Sequence, residues 1–234
     1  MDFSWINGFS TELLRGLGIT LKLLLLSGIC GFALAVVVGL GRASRNPLIR
    51  APMQFYISVF RGTPLLVQIY ILYYGVGSLF AAYPPIRGSF LWPYLREGFW
   101  YVALALTLSV GAYVGEVLRG GLRAVPRGEL EAARAYGMGY WLTLRRVWLP
   151  RALELVRPTL VGECVLLLKA TALASTVAVT DLLGAANLVR AQTLKVYEPL
   201  LAVALIYIIL AFAIEHLCAR LGNPERNRAP QRQA

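Results

Sequence analysis

The sequence predicts an all-α integral membrane protein: about five transmembrane helices with a polar helical hairpin between the third and the fourth. Three observations predict it. Of the 234 residues, 58% are hydrophobic and only 15% charged, with a mean hydropathy of +0.62, whereas a soluble domain carries roughly 25% charged residues. The apolar residues fall in blocks of roughly 20, the length a helix needs to cross a hydrocarbon core about 30 Å thick. Between the blocks, arginines gather in alternate loops instead of spreading evenly.

The first span is expected over about 13–40, apolar apart from Arg15 and Lys22. Glycines at 16, 18, 28, 31 and 39 let a neighbouring helix approach it closely. Trp5 and Phe9, just before it, suit a membrane interface. The second span is expected over about 53–80, where Gly62 and Pro64 interrupt the apolar run. Such an interruption bends a helix and frees backbone carbonyls. In transporters it often lines the pathway, and it serves elsewhere as a packing kink. The remaining spans are expected over about 99–118, 153–183 and 200–221, so that residues 1–234 make a single membrane domain.

The net charge of +11 comes mostly from arginine. No basic face is interleaved with exposed aromatics, which argues against nucleic acid as a partner. The charge is topogenic instead. Loop one carries Arg42, Arg45 and Arg50, and the C-terminal tail Arg220, Arg226, Arg228 and Arg232. Loop three carries Arg119, Arg123, Arg127, Arg134, Arg145, Arg146 and Arg151. The alternating loops hold only Arg87 with Arg96, and Arg190 with Lys195. The positive-inside rule then places the N-terminus outside and loop three and the C-terminus in the cytoplasm, which an odd number of spans satisfies. No basic n-region or small-residue cleavage site marks a signal peptide. Cys30, Cys164 and Cys218 lie in apolar stretches without motif spacing, so neither a disulfide framework nor a metal site is expected.

Loop three is the polar island of the chain. Glu129 and Glu131 open its first helix, where carboxylates suit the positive end of the dipole. Gly137 supplies a residue tolerant of positive φ for the turn. A second helix follows, with Arg145 and Arg146 in its expected last turn and Pro150 as its stop. Trp141, Leu144 and Trp148 recur at helical spacing as one apolar stripe. A basic hairpin with such a stripe, expected over about 126–150, can seat in a partner's groove or lie flat on lipid headgroups.

Glu131-Ala132-Ala133, then Gly137 after three residues, then Val147-Trp148-Leu149-Pro150 after nine more, resembles the EAA signature of permease subunits of ABC importers. Phe60-Arg61-Gly62-Thr63-Pro64-Leu65-Leu66-Val67-Gln68, Gly111-Ala112-Tyr113 with Glu116 and Arg119-Gly120-Gly121, and Leu168-Lys169-Ala170-Thr171 with Leu173 are similar to bacterial polar amino-acid permeases of the histidine, arginine, glutamine and opine type. The likeness covers nearly the whole chain. It implies that Glu131, Ala132, Ala133, Gly137, Leu149 and Pro150 couple the spans to an ATP-binding-cassette ATPase subunit. Two positions depart from the pattern: Ala170, where many relatives have Asp, and Glu129, where Gln is common.

Within the fourth span, Glu163 sits in an apolar run, VGECVLLL, with Leu160, Leu166 and Leu167 as its helical neighbours. An ionisable group there costs roughly 2.5–3.5 kcal/mol on insertion scales and needs a partner or water. Lys169 lies about 120° away around the helix. Either Arg61 pairs with Glu163 structurally, or Glu163 receives the cation of a substrate. Glutamates at the matching place in some cationic amino-acid permeases favour the second reading. Thr171, Ser175, Thr176 and Thr180 add hydroxyls, which in membrane helices usually bond back to their own carbonyls. The candidate substrate-binding residues are therefore Glu163, Thr171, Ser175 and Arg61. Glu116 and Arg119, three apart, suit a local pair.

These readings point to the transmembrane subunit of an ATP-driven importer of a polar, cationic amino acid (arginine, lysine, ornithine, histidine or an opine) in the bacterial inner membrane. No Gly-Lys-Ser/Thr phosphate loop is present, so the chain needs no cofactor of its own, and ATP and magnesium belong to separate ATPase subunits. A soluble extracytoplasmic amino-acid-binding protein and a second, identical or similar, permease chain are the other expected partners. An ion-coupled secondary transporter with Glu163 as proton carrier is the alternative. An intramembrane enzyme is disfavoured, because His216 is the sole histidine and neither a nucleophile with its base nor a metal cluster is visible.

Overall fold

A hydrocarbon core offers no water to backbone amides, so each spanning segment must bond its own N–H and C=O groups. Every regular element among the described residues is accordingly helical. The structure, a computed structural model, describes the backbone of residues 5–220 and the side chains from residue 8 onward. The expected interfacial Trp5 side chain and the tail arginines Arg226, Arg228 and Arg232 lie outside the described residues.

In chain order the helices are α1 (Trp5–Ala43), α2 (Pro47–Gly62), α3 (Leu65–Ala82), α4 (Gly98–Ala124), α5 (Arg127–Ala135), α6 (Tyr140–Thr176), α7 (Leu182–Thr193) and α8 (Tyr197–Arg220). Two single helical turns, Pro84–Arg87 and Trp92–Leu95, connect α3 to α4. Among the described residues, five segments are long and apolar enough to cross a membrane: Gly8–Ala43 within α1, then α3, α4, α6 and α8.

The core is α4 packed along α1, with α6 and the break between α2 and α3 against it. Leu106, Ala112 and Leu118 of α4 are fully buried. Close approach explains why small residues recur on both helices. A Cβ added at Gly31 would stand 2.6 Å from Val110, and one at Gly111 would stand 2.6 Å from Leu34. The expectation that α1 packs on protein therefore holds at Gly31, whereas a Cβ at Gly18 would meet open space.

Two expected boundaries move, both for reasons of backbone bonding. The second span divides: α2 ends at Gly62, Thr63 and Pro64 are extended, and only Leu65–Ala82 meets the length and hydropathy of a span. The helix that holds the expected fourth span, about 153–183, runs from Tyr140 to Thr176, because Pro150 does not stop the helix that precedes it. The chain widens into a π turn over Leu144–Trp148 and resumes as regular helix at Leu149, with Pro150 in the first turn. A proline needs no N–H partner there, and the wide turn before it relieves the clash with the preceding carbonyl. The 37 residues of α6 extend about 55 Å at 1.5 Å per residue, well beyond a core of about 30 Å.

Candidate functional site

A cavity of about 250 Å³ lies where α4 and α6 meet the α2–α3 break, lined by Phe60, Thr63, Tyr113, Glu163, Ala170 and apolar neighbours. Its walls are mostly Leu, Val and aromatic carbon, with Ser109, Thr63 and Glu163 as polar groups. Glu163 is the only carboxylate on the wall, and no ion pair to it forms among the described residues. Ala170 also lines the cavity.

The break itself is held by one side chain. Ending α2 at Gly62 leaves carbonyls without helical donors. The amide nitrogen of Gln68 donates to the carbonyl of Phe60 at 2.9 Å, the carbonyl of Thr63 at 3.1 Å and the hydroxyl of Thr63 at 2.9 Å. The Thr63 hydroxyl in turn donates to Val59 at 2.8 Å. Arg61, in the last turn of α2, rests its guanidinium 5.1 Å from the centre of the Tyr113 ring. Among the described residues it forms no ion pair with Glu163.

The other expected polar contributors turn away from the cavity. Thr171 is fully buried and donates to the carbonyl of Leu168 at 2.7 Å. Ser175 donates to Ala172 at 2.8 Å. Both hydroxyls satisfy their own helix, and neither lines the cavity. Glu116 takes Arg119 at 2.8 Å, as the spacing predicts, and also faces Arg42 of α1 at 3.7 Å.

The polar island is a hairpin of α5 and the first part of α6. The Gly137 N–H donates to Arg134 and that of Met138 to Ala133, at 2.9 and 3.1 Å. This pair of bonds is a Schellman motif, and Gly137, at φ +76°, occupies its left-handed position. Of the residues matching the EAA pattern, Glu131 and Ala132 are exposed, Ala133 is buried, Leu149 is half-buried and Pro150 is exposed. Glu129 binds Arg151 at 3.2 Å, and Arg151 binds Glu154 at 2.8 Å, tying α5 to α6.

The expected apolar stripe does not face outward as a unit. Trp141 is 76% exposed, but Leu144 is buried and Trp148 packs against Leu122, Val125 and Ala152. The π turn rotates the later residues out of line with Trp141. The outward aromatic group is instead Tyr136, Tyr140 and Trp141 at the tip. Sequence reading also missed Gln68 and Asp181. The Phe-Arg-Gly-Thr-Pro break signals a need for a capping amide nearby, which could have found Gln68. Asp181, placed inside the expected fourth span, is the N-cap of α7. It accepts from Gly184 at 2.9 Å and from the Tyr207 hydroxyl at 3.4 Å. An Asp before a Leu-Leu-Gly-Ala run is a recognisable cap.

Residues 31–222 match a family model described as the inner membrane component of binding-protein-dependent transport systems. The octopine transport system permease protein OccM of Rhizobium radiobacter is 40% identical over 205 residues, covering 88% of this chain and 82% of that protein. The histidine/lysine/arginine/ornithine transport system permease protein HisM of Escherichia coli K12 is 38% identical over 217 residues, covering 92% and 88%. A solved amino acid ABC transporter with histidines superposes with a TM-score of 0.79 at 30% identity, over 94% of this chain and 97% of that one. An inward-facing MetNI methionine ABC transporter superposes with a TM-score of 0.74 at 20% identity, a likeness of fold, over 94% and 97%.

Proposed function

Because the chain belongs to the family of inner membrane components of binding-protein-dependent transport systems, we propose that its cavity receives the side-chain cation of an amino acid or opine during import. The chain is the permease subunit of an ABC importer, and the ion-coupled alternative gives way to that membership. One observation carries the substrate reading: among the described residues, Glu163 is the only carboxylate on the cavity wall and has no ion-pair partner. A carboxylate in a low-dielectric wall is costly until a cation arrives, which makes the cavity selective for one. The substrates named for the octopine and the histidine/lysine/arginine/ornithine relatives each carry a basic group or a guanidinium, in keeping with this chemistry.

In this reading the hairpin docks into an ATPase subunit through its exposed Tyr136, Tyr140 and Trp141 and the EAA-type residues Glu131, Ala132, Ala133, Gly137, Leu149 and Pro150. Its geometry suits transmission, since Trp141 and Glu163 ride on one continuous helix about 33 Å apart. The arginines of loop one, the hairpin and the tail support a cytoplasmic hairpin and C-terminus and an external N-terminus. A second permease chain completes the path, ATP and magnesium stay on the ATPase subunits, and an extracytoplasmic binding protein delivers the substrate.

The test is substrate-stimulated ATPase and uptake by the assembled importer, with arginine, lysine, ornithine, histidine, octopine and glutamine compared at equal concentration. Stimulation confined to the cationic members is the expected result. Equal or greater stimulation by glutamine would remove the role given to Glu163.

A further inference from the structure

A site that binds a cation through one carboxylate must also let it go. Departure of the substrate leaves Glu163 unpaired in an apolar wall, a state that opposes release unless another cation takes its place. Arg61 is suited to do so. Its neighbours Phe60 and Thr63 line the cavity, and the Tyr113 ring on which it rests forms part of the same wall. Its side chain is exposed and makes no ion pair among the described residues, so only a cation–π contact holds it in place. That tie is weaker than a hydrogen-bonded guanidinium–carboxylate pair.

The other charges nearby are committed or face elsewhere. Glu116 already holds Arg119 and faces Arg42. Lys169, on the same helix as Glu163, lines a different groove with Tyr207, Phe212 and Glu215 of α8. Arg61 is also separated by Gly62 alone from Thr63-Pro64, the one place where the α2–α3 backbone is not helical. A small rotation at that break would carry its guanidinium without repacking a span.

We propose that Arg61 is an internal competitor for Glu163: its guanidinium leaves the Tyr113 ring, pairs with the carboxylate and displaces the substrate's cation on the release side of the transport cycle. The proposal rests on the reading of the cavity given above. A guanidinium presents to a carboxylate the same planar fork as an arginine substrate, so the exchange replaces one bidentate pair by another. Arg61 thereby sets how strongly the site retains its cargo. It is a positioning and specificity element, distinct from a group that merely steadies the fold.

The experiment measures binding of radiolabelled arginine to the assembled, nucleotide-free importer in nanodiscs, and uptake in proteoliposomes. Arg61→Gln should bind arginine more tightly, on the order of fivefold, with KM and kcat for uptake both lowered. Arg61→Lys, which keeps a mobile cation but loses the planar fork, should fall between the wild type and Arg61→Gln. Unchanged or weaker binding in Arg61→Gln overturns the proposal. Should that variant fail to assemble, Tyr113→Leu gives the opposite sign. Freed from the ring, Arg61 occupies Glu163 more and arginine binds more weakly, whereas unchanged or tighter binding overturns the proposal. Glu163→Gln separates the two readings. If it does not weaken arginine binding, the cavity reading falls and the competitor with it. If it does weaken binding while Arg61→Gln fails to tighten it, only the role of Arg61 falls.

Discussion

The indole N–H of Trp148 donates to the carbonyl of Leu122 at 2.8 Å, joining the first part of α6 to the last turn of α4. In an uninterrupted helix that carbonyl would accept from residue 126, which is Pro126 and has no N–H. Trp148 therefore supplies the donor that the chain itself lacks, at a place where Leu122 is buried. Trp148→Phe keeps the ring but orphans the carbonyl, a loss of about 1 kcal/mol. In reconstituted importer the variant is expected to hydrolyse ATP at close to the normal rate with lowered uptake per ATP. A wild-type ratio of uptake to hydrolysis would show that the bond plays no part in transmission.

The tip of the hairpin and its base are expected to behave differently. Trp141 is 76% exposed and Leu144 is 5% exposed, although they are three residues apart. Trp141→Ala should leave thermal stability of the isolated permease within about 0.5 kcal/mol of wild type, as for a surface change. It should nonetheless weaken capture of the ATPase subunit. Leu144→Ala should cost about 2–5 kcal/mol, as for a buried leucine. Thermal unfolding and co-purification measured on both variants decide the matter, and a stability loss in Trp141→Ala would move that residue into the core.

Glu163→Gln retains size and removes charge. Uptake of arginine is expected to fall at least tenfold, which corresponds to about 1.4 kcal/mol, while basal ATPase activity stays close to wild type. Unchanged arginine uptake in a normally assembled complex would return Glu163 to a structural role.

Asp181 lies in the connection between the fourth and fifth spans, where burial pushes its carboxyl up to about 6 from the usual 3.8. Its folded pKa thus stands above the unfolded one, so the folded state binds the proton more tightly. The stability it contributes is present below about pH 4 and declines as the pH rises through about 6. Asp181→Asn keeps an N-cap side chain and does not titrate. The melting temperature of the wild type, relative to this variant, should fall between about pH 4 and pH 7. Parallel curves across that range would mean that the carboxyl titrates alike in the folded and unfolded chains.

Much of the molecule was legible before any coordinates. Blocks of about 20 apolar residues announce spans because a membrane-crossing helix must be apolar along its whole length. Gly31 announces close helix packing, and Gly137 a left-handed turn, because these demands act on single residues. The EAA spacing and Glu163 in its apolar run could be read for the same reason. Where the reading went astray, a local rule was overridden from nearby. Pro150 reads as a stop, and the π turn before it cancels that signal. Trp141, Leu144 and Trp148 read as one stripe, and the same π turn together with the Leu122 carbonyl draws Trp148 inward.

By itself, then, the sequence determined the helical class, the five apolar segments, the hairpin with its glycine turn, and the family. Each of these rests on composition or on spacing along one segment. Only the tertiary structure decided which groups share a wall. Thr63 at the α2–α3 break, Tyr113 on α4, and Glu163 with Ala170 on α6 come from three separate parts of the chain and meet only where those elements pack together. The structure likewise turned the Thr171 and Ser175 hydroxyls back onto their own carbonyls and set Arg61 on Tyr113 beside the cavity. A side chain's direction depends on which neighbours satisfy it, and those neighbours are known only once the helices have packed.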